Sequence, residues 1–545
     1  MNRSAGTSSA PLAQAPAEFS GPAMYQALSG EFAMLYQQYE QAAVYYLQAA
    51  QTTHDARLAE QAARIALLGR FDAVALEASQ LWLELAPDAL PAREALVAAL
   101  IRRQDVAAVQ PHLEQLFASR RADSRDADNH LVSIMIGHPQ DLVPALQAIG
   151  RYADEHPDSF VAWHLYGQLA LHADQLERAA SVATHLLQLQ PRAIETTRLY
   201  VRVLRRQGRR QEALEYLGRE IGKRPKVAEL YMTRARLALE MMRVEDARVD
   251  FVKALSLSPD DPDVLFALTL LSLQARQPDA AGQYLLRLQA LHWEPDQLQF
   301  YLGQMEEMRG NNAAALDRYR EVDGSEHYLE AQIRVVWLLA GQGDIDGARE
   351  RLHILQLQFQ EQRKELLHVE GEILYEMARY EEALAVFDQA LTEYQGDREL
   401  LFIRALSAEK LGRMTDVERD LRQILANDPG NVGALNALGF VLADKTDRYQ
   451  EAYELIKQAL ELNPNDNAIL DSMGWVSYRR GDLQAAEQYL RRAWQASRDN
   501  EIAAHLGEVL WVLGEHEQAL EIWNQALSTK PDDGHLRETM KRFGQ

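Results

Sequence analysis

No cysteine occurs among the 545 residues. Disulfide frameworks, thiolate metal sites and a cysteine nucleophile are thereby excluded. No apolar run reaches the roughly 18 residues that a membrane-spanning helix requires. Basic residues are outnumbered by acidic ones, 57 to 80, and the net charge of −23 argues against nucleic acid as a partner, because phosphate binding needs a basic face. Strand-forming segments are scarce while Ala, Leu, Glu, Gln and Arg abound, so the chain is expected to be almost entirely helical. Catalytic signatures are missing too: there is no H-E-x-x-H, no G-x-x-x-x-G-K-[ST] and no G-x-S-x-G. Gly341, Gly343 and Gly347 follow no strand, so they are expected in a turn between two helices rather than in a phosphate loop. His156, His164 and His172 lack a carboxylate at a ligand spacing and are expected to be isolated surface histidines. No enzyme activity, cofactor or metal is expected.

What the chain does have is a period. Pro157, Pro191, Pro225 and Pro259 recur at intervals of 34 residues. A fixed interval of about that length marks stacked helix–turn–helix pairs. Within one period a large residue (Trp163, Tyr231) is followed four positions later by a small one (Gly167, Ala235). A second small one follows twelve further on (Ala179, Ala247), and then comes the proline. Small side chains are needed where two helices cross closely, since a larger one forces them apart. Proline lacks a backbone N–H and ends the second helix of each pair. This pattern fits the tetratricopeptide repeat. The expected fold is an all-α solenoid, a right-handed superhelix of antiparallel helix pairs.

Residues 1–22 read as an Ala/Ser/Pro linker with no apolar signal core. Such a linker follows a processed signal or lipid attachment point, or is left at a fusion junction. Residues 23–159 read as divergent repeats, rich at the start in Tyr25, Phe32, Tyr36, Tyr39, Tyr45 and Tyr46. The stretch around Pro139 is read as a drifted repeat, or else as a hinge or a docking face. Residues 160–534 read as regular repeats and 535–545 as a capping helix, giving about eleven to fourteen units in all.

Solenoids bind through an inner face built mainly by the first helix of each unit. Taking the small residue after the large one as position eight, positions two, five, nine, twelve and thirteen point inward. In one unit these are Glu195, Arg198, Arg202, Arg205 and Arg206, and the next adds Arg236. They form either a basic wall for carboxylates or a solvated helix face with i,i+4 spacing. In the last units the inner set is Asn436, Phe440, Asp471, Trp475, Tyr478, Arg479, Glu508 and Trp511. Exposed aromatics and Arg here are the usual anchors for a protein partner; for Trp475 and Trp511 the alternative is packing between repeats. Tyr25, Phe32 and Tyr36 at the start are a third candidate contact.

The run LNALGFVLADKTDRYQEAYELIKQALELNPNDNAILDSMGWVSYRRGDLQAAEQYLRRA (435–493) resembles bacterial repeat proteins of the cell envelope, many of them outer-membrane lipoproteins. The layout of 24–545 is similar to that of lipoprotein adaptors of a carboxyl-terminal processing protease. That resemblance implies a periplasmic, outer-membrane-anchored adaptor. It would bind and activate the protease and bring it substrates such as peptidoglycan cross-link hydrolases. Members of that family begin with a signal and a lipidated cysteine, and this sequence shows neither. The alternative is a repeat scaffold of the envelope or cytoplasm with no protease partner. A glycosyltransferase carrying a repeat domain would need a large α/β catalytic domain, for which the repeats leave no room.

Overall fold

The computed structural model describes residues 21–118, 142–324 and 326–544. The expected linker, apart from Gly21 and Pro22, and the stretch around Pro139, read as a drifted repeat or as a hinge or docking face, lie outside the described residues. Among them there are thirty helices and no strand. The proline period sets their limits. Helices end at Glu155, Leu189, Lys223 and Leu257, and each is followed two residues later by a turn proline. The next helices begin at Phe160, Ile194, Ala228 and Pro262, three residues beyond it. Side chains cap several of these starts: Ser159 accepts from the Ala162 N–H and Asp261 from the Val264 N–H.

The turn inside each pair repeats as regularly. Asp174, Gly208, Met242, Arg276 and Gly310 all have φ between 53° and 77°. Only glycine adopts this left-handed conformation without penalty. Gly343, at φ 88°, occupies the same kind of turn, between helices Tyr328–Gly341 and Ile345–Gln358. Of the three glycines expected in this turn, Gly343 is in it, whereas Gly341 ends the first helix and Gly347 lies in the first turn of the second.

Packing explains the small residues. A Cβ on Gly371 would lie 2.1 Å from the Phe387 ring, and one on Gly507 would lie 2.0 Å from Trp523. Gly30 sits under Tyr46 and Gly303 under Tyr319 in the same way. In each of these pairs the second helix drives a ring onto the bare backbone of the first. Ala179, Ala247, Ala383 and Ala486 are fully buried at the other close approach. Buried carboxylates in this core are matched by arginine at two crossings. Asp250 takes a two-pronged bond from Arg234, and Asp420 takes one from Arg404, at 2.6–2.7 Å.

The chain divides into two compact units, 1–275 and 276–545. In the first, one apolar core runs from Ala33 to Ala99 and another from Leu96 to Val203. In the second, successive cores overlap from Phe300 to Leu536, each handing over to the next. Burial between neighbours only is the hallmark of a repeat array. Helix Gly534–Arg542 closes the second unit: Leu536 is buried, and Trp511 and Trp523 each pack about 6.0 Å from Phe543.

Candidate protein-binding sites

The first helix, Gly21–Leu35, turns Ala23, Gly30 and Ala33 toward its partner Tyr39–Thr53. The opposite face is apolar and open. Tyr25, Phe32 and Tyr36 are 69%, 61% and 70% exposed, and Met24, Leu28 and Leu35 lie open beside them. The aromatic residues of this segment therefore divide. Tyr46 is buried under Gly30 and Tyr45 is half-buried, while Tyr25, Phe32, Tyr36 and Tyr39 face solvent.

The arginine wall lies on helices Ile194–Arg206 and Ala228–Glu240. Carboxylates of neighbouring repeats meet four of its five members. Arg198 pairs with Glu229, Arg205 with Glu240 at 2.7 Å, Arg206 with Asp174 at 2.6 Å and Arg236 with Asp263 at 3.0 Å. All are at least partly exposed, so each pair contributes little stability but balances charge. Arg202 differs. It is half-buried and has no ion pair among the described residues. Burial, then the charges of Arg205 and Arg206, lower its pKa. The wall is thus a set of cross-repeat ion pairs around one uncompensated guanidinium.

In the second unit the inner positions line a groove. A cavity of about 490 Å³ is walled by Phe402, Ile403 and Leu406. A second, of about 440 Å³, shares Leu406 and adds Tyr375, Asn436 and Asp471. A third, of about 870 Å³, shares Glu409, Lys410, Phe440, Asp499 and Glu501 with the second and is floored by Trp475 and His505. Of the residues expected here, Asn436, Phe440, Asp471 and Trp475 line these cavities. Tyr478 and Arg479 do not. Tyr478 donates its hydroxyl to Glu508 at 3.2 Å, and burial followed by the Glu508 charge pushes its pKa up to about 12. Arg479 donates to the Asp444 carbonyl at 3.0 Å and to the Tyr449 hydroxyl at 2.9 Å. Trp511 stacks on His516 at 4.2 Å, packing rather than projecting.

The groove's centre is a histidine that sequence reading missed. His505 is 6% exposed, and its Nδ1–H donates to both oxygens of Asp471 at 3.0 Å. Its ring stacks on Trp475 at 4.2 Å, and the Trp475 indole donates to Asp444 at 3.2 Å. Burial works against the charged ring. Asp471, with Glu501 and Asp444 beyond, more than offsets this, so its pKa is raised. Glu501 stands at position two of its unit and Glu409 at position twelve, so the same register applied to every unit finds both. His505 stands at position six, off the inner face by that register. His164, also expected at the surface, is buried and stacks on Phe160 at 5.7 Å. That expectation is corrected, because this helix is apolar all round and leaves no solvent face at position 164.

The chain is similar to several known proteins. Two family models, both described as tetratricopeptide repeat, match. One covers residues 201–262, 368–432 and 441–501, and the other covers 478–542. A TPR repeat-containing protein of Pseudomonas aeruginosa is 35% identical over 526 residues, covering 90% of this chain and 82% of that one. A human protein O-mannosyl-transferase is 25% identical over 187 residues, 33% of this chain and 21% of its own length. Among solved structures, yeast Tom70 is 14% identical, with 95% of this chain and 99% of that one covered and a TM-score of 0.34. A 34-residue period, buried small residues at each helix crossing and a relative aligned along nine-tenths of the sequence have one common explanation: the chain belongs to the tetratricopeptide repeat family.

Proposed function

We propose that this protein is a non-enzymatic adaptor of the cell envelope. It binds and activates a carboxyl-terminal processing protease through its first helix pair and presents protein substrates, such as peptidoglycan cross-link hydrolases, on the inner face of its repeats. The reading places it in the periplasm, held at the outer membrane. The short stretch shared with the O-mannosyl-transferase is a fifth of that enzyme, and its transferase chemistry is not carried over.

The observation that carries the reading is the open apolar face of Gly21–Leu35. Here six large apolar side chains, Met24 through Tyr36, stand in solvent together. Contiguous exposed apolar surface rich in aromatic residues marks a protein-binding patch. A second surface on the same chain makes the meeting of protease and substrate intramolecular, at an effective concentration of up to about millimolar for a short tether.

Deleting residues 1–56 tests this. The truncated chain is expected to lose protease stimulation while it stays folded and still captures substrate. Stimulation equal to that of the full chain would reject the assignment and favour a scaffold without a protease partner.

A further inference from the structure

We infer that the groove of the second unit takes an extended segment of a partner protein in which an apolar residue is followed by lysine or arginine. The inference rests on the reading of the inner face as the substrate surface and adds the chemistry of what it accepts.

The groove is graded along its length. The cavity at Phe402, Ile403 and Leu406 is largely apolar and suits an aliphatic side chain. The next chamber is acidic. Glu409, Asp471, Asp499 and Glu501 line it, and Lys410 is its one basic residue. His505 matches the charge of Asp471 through the paired contact at 3.0 Å. Three carboxylates then face one ammonium. Glu409 and Glu501 have no ion pair or side-chain hydrogen bond among the described residues, whereas Glu370, Glu393, Asp420 and Glu451 of the same unit are each paired with arginine.

Glu501 is the most telling of the group. It lines both the second and third cavities. Its backbone N–H is tied to Asp499 at 2.8 Å, which holds its helix end in place. It keeps contact with solvent at the cavity mouth, yet the protein packed around it raises its pKa, and Asp471 and Asp499 add to this against His505 and His535. A carboxylate so surrounded is short of positive charge, and a cationic side chain supplies it. Phe440 forms a wall shared by both chambers, and an aromatic face beside carboxylates adds attraction for a cation.

A separate feature points to a main chain as the thing bound. Asn436 lines the same chamber, and its Oδ1 is buried with no hydrogen-bond partner. A buried acceptor left empty costs on the order of 1–3 kcal/mol. The Asn436 side chain as a whole is only half-buried, and turning its amide toward the groove lets the backbone N–H of an extended segment satisfy it, as in other grooves that read peptides. The net charge of −23 favours a basic segment at long range as well.

The test is fluorescence anisotropy on the full chain with a labelled octapeptide, Ala-Leu-Leu-Ala-Lys-Ala-Lys-Ala. Counterparts carry glutamate or alanine in place of both lysines. The lysine peptide is expected to bind best, and binding should weaken as salt is raised. Glu409→Gln and Glu501→Gln should each weaken it roughly tenfold, about 1.4 kcal/mol, with unchanged circular dichroism and melting. Asn436→Leu should weaken all three peptides alike. Glu212→Gln, on the first unit, should change nothing. Equal binding of the lysine and glutamate peptides, or indifference to both glutamine variants, would overturn the inference. Neither result depends on the protease, so failure here is separable from failure of the adaptor reading, which the truncation decides.

Discussion

His505 and Asp471 stand 34 residues apart, the same distance as the repeat period, and join two units through an imidazole that donates to both carboxylate oxygens at 3.0 Å. The pair is buried; His505 floors the cavity of about 870 Å³ and Asp471 lines the neighbouring one of about 440 Å³. The fold therefore favours the protonated ring. Between 6.5, the ordinary value for histidine, and its raised value, the folded state holds a proton that the unfolded state has released. Stability from this pair is complete below about 6.5 and is lost as pH rises through the folded value. Glu501 adds the same sign. Its raised pKa makes stability fall as pH climbs above 4.5. Denaturant titrations of the full chain are expected to show the second unit weakening from pH 6 to pH 9, and His505→Gln should flatten that dependence. A transition steepening in the opposite direction would contradict the assignment.

Buried ion pairs make a separate prediction. Arg404 grips Asp420, which is fully buried. Asp420→Ala leaves that guanidinium only the exposed Asp388, at 2.7 Å, and should destabilise its repeats by up to about 3–5 kcal/mol. Replacing both residues, as Arg404→Met with Asp420→Leu, should cost much less. Equal losses in the single and double variants, read from unfolding midpoints, would show that volume rather than charge governs the site.

Close helix crossings set the tolerance to size. Ala247→Trp is expected to destabilise its repeat by roughly 1–3 kcal/mol or more, with damage confined to neighbouring units. Gly371→Ala should behave similarly, because its new Cβ meets Phe387. Adding Phe387→Leu should restore part of the loss. Met242→Gly goes the other way. Its left-handed φ of 59° is a strain that glycine relieves, so stability should rise by up to about 1 kcal/mol. Hydrogen exchange resolved by repeat distinguishes these local effects.

Of the five wall arginines, Arg202 is the one with no ion pair among the described residues. Arg202→Ala should leave melting unchanged or raise it, by relieving repulsion with Arg205 and Arg206. Arg202→Glu should weaken capture of any acidic partner held at this wall, measured by pull-down at low and high salt. Capture indifferent to both substitutions and salt would remove the wall as a binding face.

The repeat could be read from Pro157, Pro191, Pro225 and Pro259 because proline and small residues act locally. One ends a helix, and the others let two helices touch. The inner register brought Asn436, Phe440, Asp471 and Trp475 into one groove for the same reason, since helix periodicity alone decides which side they face. The partners of Arg198, Arg205, Arg206 and Arg236 could not be read. Each reaches a carboxylate about one repeat away, and that pairing depends on how two units stack. The uses of Tyr478 and Arg479 between repeats, and the place of His505 beneath Trp475, depend on stacking in the same way. The open face of Tyr25, Phe32 and Tyr36 was visible only as composition, because exposure is decided by which neighbours the first helix has.

The central claim is that this open face docks a protease. Its most direct measurement is the rate of substrate cleavage by the purified protease, titrated with full-length protein carrying Phe32→Glu and Tyr36→Glu. Both side chains point into solvent, so the fold should be unaffected. The account predicts that stimulation is lost while substrate capture by the same protein is kept. Stimulation by the charged variant equal to that of the unaltered chain would contradict it.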